Sequence, residues 1–208
     1  MTTKSLADYD RAIQLNPNYA IAYNDRGAAK SALGRKQDAL ADYDRAIKLD
    51  SNDALAYYHR GVAKYALERN QEVTADYDRA IKLDSNFAPA YSNRGNAKCA
   101  LGRKQEAIAD YDRAIQLEPN NAMAYHNRSL VKYALGKKED AIADYDRAIQ
   151  LNPNYADAYK NRGNLKSTLD DKQSAIEDYQ KAADLYKQQG KTSDEQYAVN
   201  QVKKISEQ

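Results

Sequence analysis

The chain has no tryptophan, one phenylalanine and one cysteine among its 208 residues. A core of large, purely apolar rings is therefore excluded. The bulky packing units are 18 tyrosines, so any core is thin and amphipathic. With Cys99 alone, no intrachain disulfide can form and nothing points to an oxidising compartment; the expected setting is the cytoplasm. No stretch approaches the ~20 apolar residues of a membrane span, and the N-terminal MTTKSLADYDRAI lacks the apolar run of a signal peptide. An excess of one charge is missing too: 32 Lys and Arg against 30 Asp and Glu leave a net +2. The basic residues lie beside acids, as in DYDRAI, rather than in the unbalanced clusters of a nucleic-acid binder. Neither nucleic acid nor membrane is an expected partner.

What the chain does have is self-similarity. DYDRAI begins at Asp8, Asp42, Asp76, Asp110 and Asp144, a constant step of 34 residues. A second tyrosine series at the same step, Tyr23, Tyr57, Tyr91, Tyr125 and Tyr159, divides each unit into two halves. In the first half Ala22, Tyr23, Arg26, Ala29, Lys30 and Leu33 recur at steps of three and four, one face of a helix, here called helix A. In the second half Ala39, Leu40, Tyr43, Ala46, Ile47 and Leu49 mark a helix B. Between B and A lie NPN, DSN, DSN, EPN and NPN, whose asparagines are expected to cap the next helix. Between A and B, Gly34, Gly102 and Gly136 suit a left-handed helix terminus, with Glu68 and Asp170 in their place in two units.

The pattern resembles the tetratricopeptide repeat family. In the first unit the matching residues are Tyr23, Gly27, Ala39 and Tyr43, and in the third Tyr91, Gly95, Ala107 and Tyr111, with Pro119 closing the unit. The resemblance implies an all-α fold, a right-handed alpha-alpha superhelical solenoid of 34-residue helical hairpins. The expected organisation is one domain over 1–208: a half repeat at 1–19, repeats at 20–53, 54–87, 88–121, 122–155 and 156–189, and a solvating helix at 190–208 with a capping pair in Ser193 and Gln196. Two departures stand out. Arg26, Arg60, Arg94, Arg128 and Arg162 occupy a slot the family usually fills with an apolar residue, and Lys30, Lys64, Lys98, Lys132 and Lys166 replace its tyrosine. Arg94 is expected to pair with one of Asp76, Asp78, Asp110 and Asp112. Ser129 for glycine and Val73 for alanine predict looser packing in two units.

Chemistry-bearing groups are few. His59 and His126 stand a whole unit apart, too far to share a metal. The aspartate pairs recur in every unit, which fits a frame rather than an active site, and no phosphate loop or nucleophile motif is present. The chain is therefore expected to be no enzyme and to need no cofactor. The resemblance implies a non-enzymatic scaffold whose helices A line a concave groove for a peptide of a partner protein. The alternative is a structural module that self-assembles through its ends, with the N-terminal half repeat (Leu6, Tyr9, Ile13) as a homo-oligomer contact. One family branch captures acidic chaperone tails with lysines and asparagines spread over three helices A. Lys160 and Asn164 match its first pair but lie in the last unit, so that clamp is not expected. More similar is the asparagine ladder of the O-linked N-acetylglucosamine transferase superhelix, whose slot holds Asn93, Asn127 and Asn161 here. Each amide is expected to bond peptide backbone as donor and acceptor. Asn96, Asn164, Tyr58, Tyr65, Met123, His126, Leu130 and Tyr133 are placed on the same groove.

Overall fold

The computed structural model describes residues 3–207, with side chains from residue 6 onward. Among the described residues there are twelve α-helices and no strand. They fall into two compact units, 1–117 and 118–208. The first holds α1 (Thr3–Leu15), α2 (Ala20–Ala32), α3 (Lys36–Leu49), α4 (Ala54–Ala66), α5 (Asn70–Leu83), α6 (Ala88–Ala100) and α7 (Lys104–Leu117). The second holds α8 (Ala122–Ala134), α9 (Lys138–Leu151), α10 (Ala156–Thr168), α11 (Lys172–Gln188) and α12 (Thr192–Ser206). Helices α2 and α3, α4 and α5, α6 and α7, α8 and α9, and α10 and α11 are antiparallel hairpins of the expected A and B pairs.

The B-to-A turns are made differently from the sequence expectation. In four of the five turns the first residue closes an Asx turn: Asn16, Asp50, Asp84 and Asn152 each accept the backbone N–H two residues on, at 2.9 to 3.1 Å, while Glu118 in the fifth accepts from the Asn121 amide at 3.3 Å. The turn asparagines cap no helix. The residue after them does so at α4, where Asp53 accepts from Leu55 and Ala56, and at α8, where Asn121 accepts from Ala124. At α2, α6 and α10 that position is Tyr19, Phe87 or Tyr155, whose ring makes no capping bond. Likewise Ser193 and Gln196 form no capping pair; α12 starts at Thr192, and Gln196 Nε2 donates along the helix to Asn200.

The A-to-B turns match expectation. Gly34, Gly102 and Gly136 have φ of 78°, 75° and 77°, the left-handed conformation in which a side chain clashes with the backbone. Glu68 and Asp170 adopt it as well, at 58° and 63°. Glu68→Gly and Asp170→Gly should each raise stability, by about 1 kcal/mol. Urea melts check this, and an unchanged or lowered midpoint in both variants would mean the turns carry no strain.

Each hairpin closes on one tyrosine. A Cβ added at Gly27, Gly61 or Gly95 of helix A would lie 2.7, 2.7 or 2.8 Å from the ring of Tyr43, Tyr77 or Tyr111 on helix B. Only a residue without a side chain lets the ring lie so close to the helix A backbone. Alanines fill the remaining seam, Ala39, Ala63, Ala107, Ala141 and Ala175 among them, so the core is thin. Ser129 and Val73 both stay fully buried in their hairpins, and Ser129 satisfies its hydroxyl by donating to the His126 carbonyl at 2.6 Å.

The unusual arginines and lysines converge on DYDR. In every hairpin the first aspartate of that motif, or of DYQK in the last, is buried and accepts from both the arginine and the lysine of its own helix A: Asp42 from Arg26 and Lys30, Asp76 from Arg60 and Lys64, Asp110 from Arg94 and Lys98, Asp144 from Arg128 and Lys132, Asp178 from Arg162 and Lys166. The same arginine reaches the second, exposed aspartate of the preceding helix B, as in Arg26 to Asp10 at 2.7 Å, Arg60 to Asp44 at 2.8 Å and Arg94 to Asp78 at 2.6 Å. The expected Arg94 pairing is thus met twice, by Asp110 and Asp78. Burial disfavours the Arg94 and Arg162 charges, but the hydrogen bonds and charges of Asp110 and Asp78, and of Asp178 and Asp146, together outweigh it and both pKa values are raised. Helix A tyrosines complete the cluster: Tyr23 lies between Arg26 and Arg45, whose guanidinium carbons are 5.4 and 5.8 Å from its ring centre. These ties consume the cations on one side of each helix A and fix which side is left facing outward.

Candidate functional site

Along helix A, residues at steps of three and four from the second position share the side turned away from the aspartates. In α4 they are Leu55, Tyr58, Val62 and Tyr65, and in α8 Met123, His126, Leu130 and Tyr133. The two sets belong to separate compact units and each is described by itself.

In the first unit, Tyr65 is exposed and Leu55 is 50% exposed, a large apolar side chain held out from a well-packed helix. Tyr58 is half buried, its ring 4.8 Å from that of Phe87. Asn93 is also half buried, and its amide nitrogen donates to the Tyr58 hydroxyl at 3.1 Å, tying α6 to α4. One helix earlier the bond recurs in another chemistry, with His59 Nδ1 on α4 at 3.0 Å from Asn24 Oδ1 on α2. Asn96 accepts at 2.7 Å from Tyr111, the tyrosine that closes its own hairpin. Cys99 is half buried at 3.7 Å from the same hydroxyl, and burial raises its thiol pKa, which leaves it an unreactive neighbour. Between α2 and α4 lies a pocket of 280 Å³ lined by Ala28, Ser31, Ala32, His59 and Val62, with the Tyr43 ring at its floor.

In the second unit, Met123 is 60% exposed, and Leu130 and Tyr133 are exposed beside it. His126 is buried and bonded at both nitrogens. Asn161 Nδ2 on α10 meets Nε2 at 3.1 Å, while the Tyr155 hydroxyl and Asn127 Oδ1 lie 3.2 and 3.3 Å from Nδ1. The amide of Asn161 is the donor to Nε2, so the neutral ring carries its proton on Nδ1. Burial first of all holds His126 below its ordinary pKa, with Lys160 adding to that and Asn127 and Asp157 opposing it. Asn164 accepts from Tyr179 at 2.8 Å and from Tyr197 at 3.0 Å, and Lys160 lies 3.1 Å from Asp157 and 3.5 Å from Asp194 on α12. Lys160 and Asn164, the pair matching an acidic-tail clamp, are both engaged within the fold.

The sequence-derived set therefore separates into two kinds. Tyr65, Met123, Leu130 and Tyr133 stand out to solvent, whereas Tyr58, His126, Asn93, Asn96, Asn127, Asn161 and Asn164 are buried or half buried and bonded to neighbours. Ile21 and Leu55, 57% and 50% exposed, share the register of Met123 and belong to the same surface, though outside the sequence-derived set. Their signal was there, since residues 21, 55 and 123 are whole repeats apart.

The buried His126 and half-buried His59 give the fold a pH dependence. His59 and His126 titrate below their ordinary value in the fold, chiefly through burial, so below pH ~6.5 the unfolded chain binds more protons than the native one. Their contribution to stability is whole above that pH and is lost as pH falls, by at most about 1.4 kcal/mol per pH unit for each. Between about pH 7 and about pH 5 the His126→Gln variant should lose less stability in urea melts than the parent chain. Equal losses would show that the fold leaves the pKa of His126 where the unfolded chain has it.

Four of the matches between this chain and known families agree in kind. Tetratricopeptide repeat models match residues 8–41, 88–121 and 156–191, and a TPR repeat model matches 31–68 and 130–169. No curated protein matches the sequence. Among solved structures, YrrB, described as a TPR protein with an unusual peptide-binding site, is 25% identical with a TM-score of 0.70 over 85% of this chain and 91% of YrrB. MamA is 26% identical with a TM-score of 0.72 over 83% of this chain and 94% of its own. PilF of Pseudomonas aeruginosa, 19% identical, shares the fold with a TM-score of 0.74 over 89% of this chain and 91% of its own. The repeat matches span well over half of the residues, and with the helical hairpins closed on one tyrosine each they make the chain a member of the tetratricopeptide repeat family.

Proposed function

We propose that this protein is a non-enzymatic scaffold that holds a peptide segment of a partner protein against the outward side of its helices A. The observation that carries the proposal is the placement of Leu55, Tyr65, Met123, Leu130 and Tyr133: apolar or aromatic, exposed, and presented by helices whose opposite side is locked by ion pairs. Such side chains on a rigid frame are what a contact surface uses, because little conformational freedom is lost when a ligand covers them. YrrB, with its peptide-binding site, supports the same reading.

In this proposal the ladder asparagines play a narrower part than the sequence implied. The amide nitrogens of Asn93 and Asn161 already join neighbouring helices, and no described residue bonds either carbonyl oxygen. They are left to accept backbone N–H groups of an extended ligand. The function calls for no cofactor and is set in the cytoplasm, without nucleic acid as partner. Panning a random-peptide phage library on the protein tests it. Enrichment that is lost in Met123→Ala/Tyr133→Ala or in Leu55→Ala/Tyr65→Ala is the expected result, and a library that yields no binder overturns it.

A second reading, association between copies through α1, is favoured by Leu15, 71% exposed, and by the half-buried Leu6, Tyr9 and Ile13. Light scattering on the parent chain and on Leu15→Ser distinguishes it. A mass above the monomer that falls in the variant supports association, and a monomer in both removes it.

A further inference from the structure

We infer that the pocket between α2 and α4 anchors the ligand of the first unit, and that this ligand is an apolar segment carrying a basic residue. The inference rests on the groove reading above and adds the chemistry of the partner.

The pocket comes first. At 280 Å³ it lies below the ~300–1,000 Å³ of small-molecule sites and is open to solvent, so it suits one side chain of a larger ligand. Methyl groups of Ala28, Ala32 and Val62 make most of its walls beside the Ser31 hydroxyl and the neutral His59 ring, and its floor is the buried Tyr43 ring, so a mainly apolar side chain fits it. Leu55 and Ile21, both more than half or half exposed, extend the apolar surface on the same two helices.

Charge decides the rest. The outward residues of α2, α4 and α6 include no lysine or arginine. Every helix A cation of this unit is committed elsewhere: Arg26 and Lys30 to Asp42, Arg60 and Lys64 to Asp76, Arg94 and Lys98 to Asp110. The Asp53 carboxylate is engaged in capping α4. Asp25 is different. It is half buried on α2, next to Asn24 of the Asn24 to His59 bond at the pocket edge, and among the described residues no ion pair or hydrogen bond engages its carboxylate. His59 is held neutral chiefly by burial, although Asp53 and Asp25 favour its charge, so it supplies no counter-cation. A half-buried carboxylate next to an apolar pocket, on a surface with no cation, complements a lysine or arginine of the ligand and repels an acidic one. The acidic tails taken by the clamp branch of the family are thereby disfavoured here.

The probe is the random-peptide phage library, panned on the full chain and followed by fluorescence anisotropy with one enriched peptide. Enriched sequences should combine apolar residues with lysine or arginine. The chosen peptide should bind at least about tenfold more weakly to Asp25→Lys, and regain affinity for that variant when its basic residue is changed to glutamate. Ala28→Leu, which fills the pocket, should abolish binding of both peptides. Ala32→Leu at the exposed rim gives the same test should the first variant unfold in circular dichroism. Binders that are acidic or indifferent to charge, or that keep their affinity in these variants while losing it in Met123→Ala/Tyr133→Ala, overturn this inference and leave the groove reading standing. A library with no binder overturns both.

Discussion

Asp110→Ala should cost about 3 to 5 kcal/mol in urea unfolding, whereas Asp78→Ala should cost less than about 1 kcal/mol, although both aspartates bond the same arginine. The difference lies in burial. The Asp110 side chain is 5% exposed and sits between Arg94 and Lys98, themselves 16% and 12% exposed, so its loss strands two cations away from water. The Asp78 side chain is 60% exposed, and without it Arg94 keeps its bonds to Asp110 while water replaces the rest. A whole-cluster replacement is a separate case, because apolar residues can substitute for a buried ion pair with little loss or even a gain. For that reason Arg94→Leu/Lys98→Leu/Asp110→Leu should recover much of what Asp110→Ala loses. If Asp78→Ala proved as costly as Asp110→Ala, the ladder between hairpins would be the main support, not the triad within each hairpin.

The triads also mark where the sequence was legible and where it was not. A 34-residue step in DYDRAI fixes the hairpins because each unit must bury the same face against its neighbours, so one correct unit gives all the others. The pairing of Arg94 followed from the same logic, since two series with one period keep one spatial relation. The buried half of the motif was harder. Nothing in Asp-Tyr-Asp-Arg says that the first aspartate is 4% exposed and the second open to solvent; that depends on the helix B tyrosine turning inward under a glycine. Capping is not legible at this level, because an asparagine before a helix and an asparagine inside an Asx turn have the same local sequence. At the candidate site, exposed Tyr65, Met123, Leu130 and Tyr133 could be placed by helical periodicity. The amide ladder could not be judged that way. Whether Asn93 or Asn161 faces a ligand or a neighbouring helix depends on the residue one repeat back, Tyr58 or His126, and on its reach.

The contact between glycine and tyrosine leads to a mutational effect that changes sign. Tyr111→Ala should cost about 3 to 5 kcal/mol, since it empties a ring that is 1% exposed and removes its hydroxyl from Asn96. Gly95→Ala should also destabilise, by about 1 to 2 kcal/mol: its Cβ would meet the Tyr111 ring at 2.8 Å, and a ring packed on all sides cannot retreat without strain. Taken alone, glycine to alanine inside a helix is worth about 1 kcal/mol in favour of alanine, so the clash must exceed that gain. Once Tyr111 is alanine the clash is gone and the helix gain remains. Gly95→Ala should therefore stabilise the Tyr111→Ala background by up to about 1 kcal/mol, partly through refilling the cavity. The hairpin of α8 and α9 shows that the slot admits a small side chain, since Ser129 is fully buried there against Tyr145, so the cost of alanine is set at the lower end of overpacking. A double-mutant cycle in urea reads the coupling directly. Should Gly95→Ala destabilise both backgrounds alike, the tyrosine ring would not be what demands glycine at this position, and the reason for the glycine would have to lie in helix α6 itself.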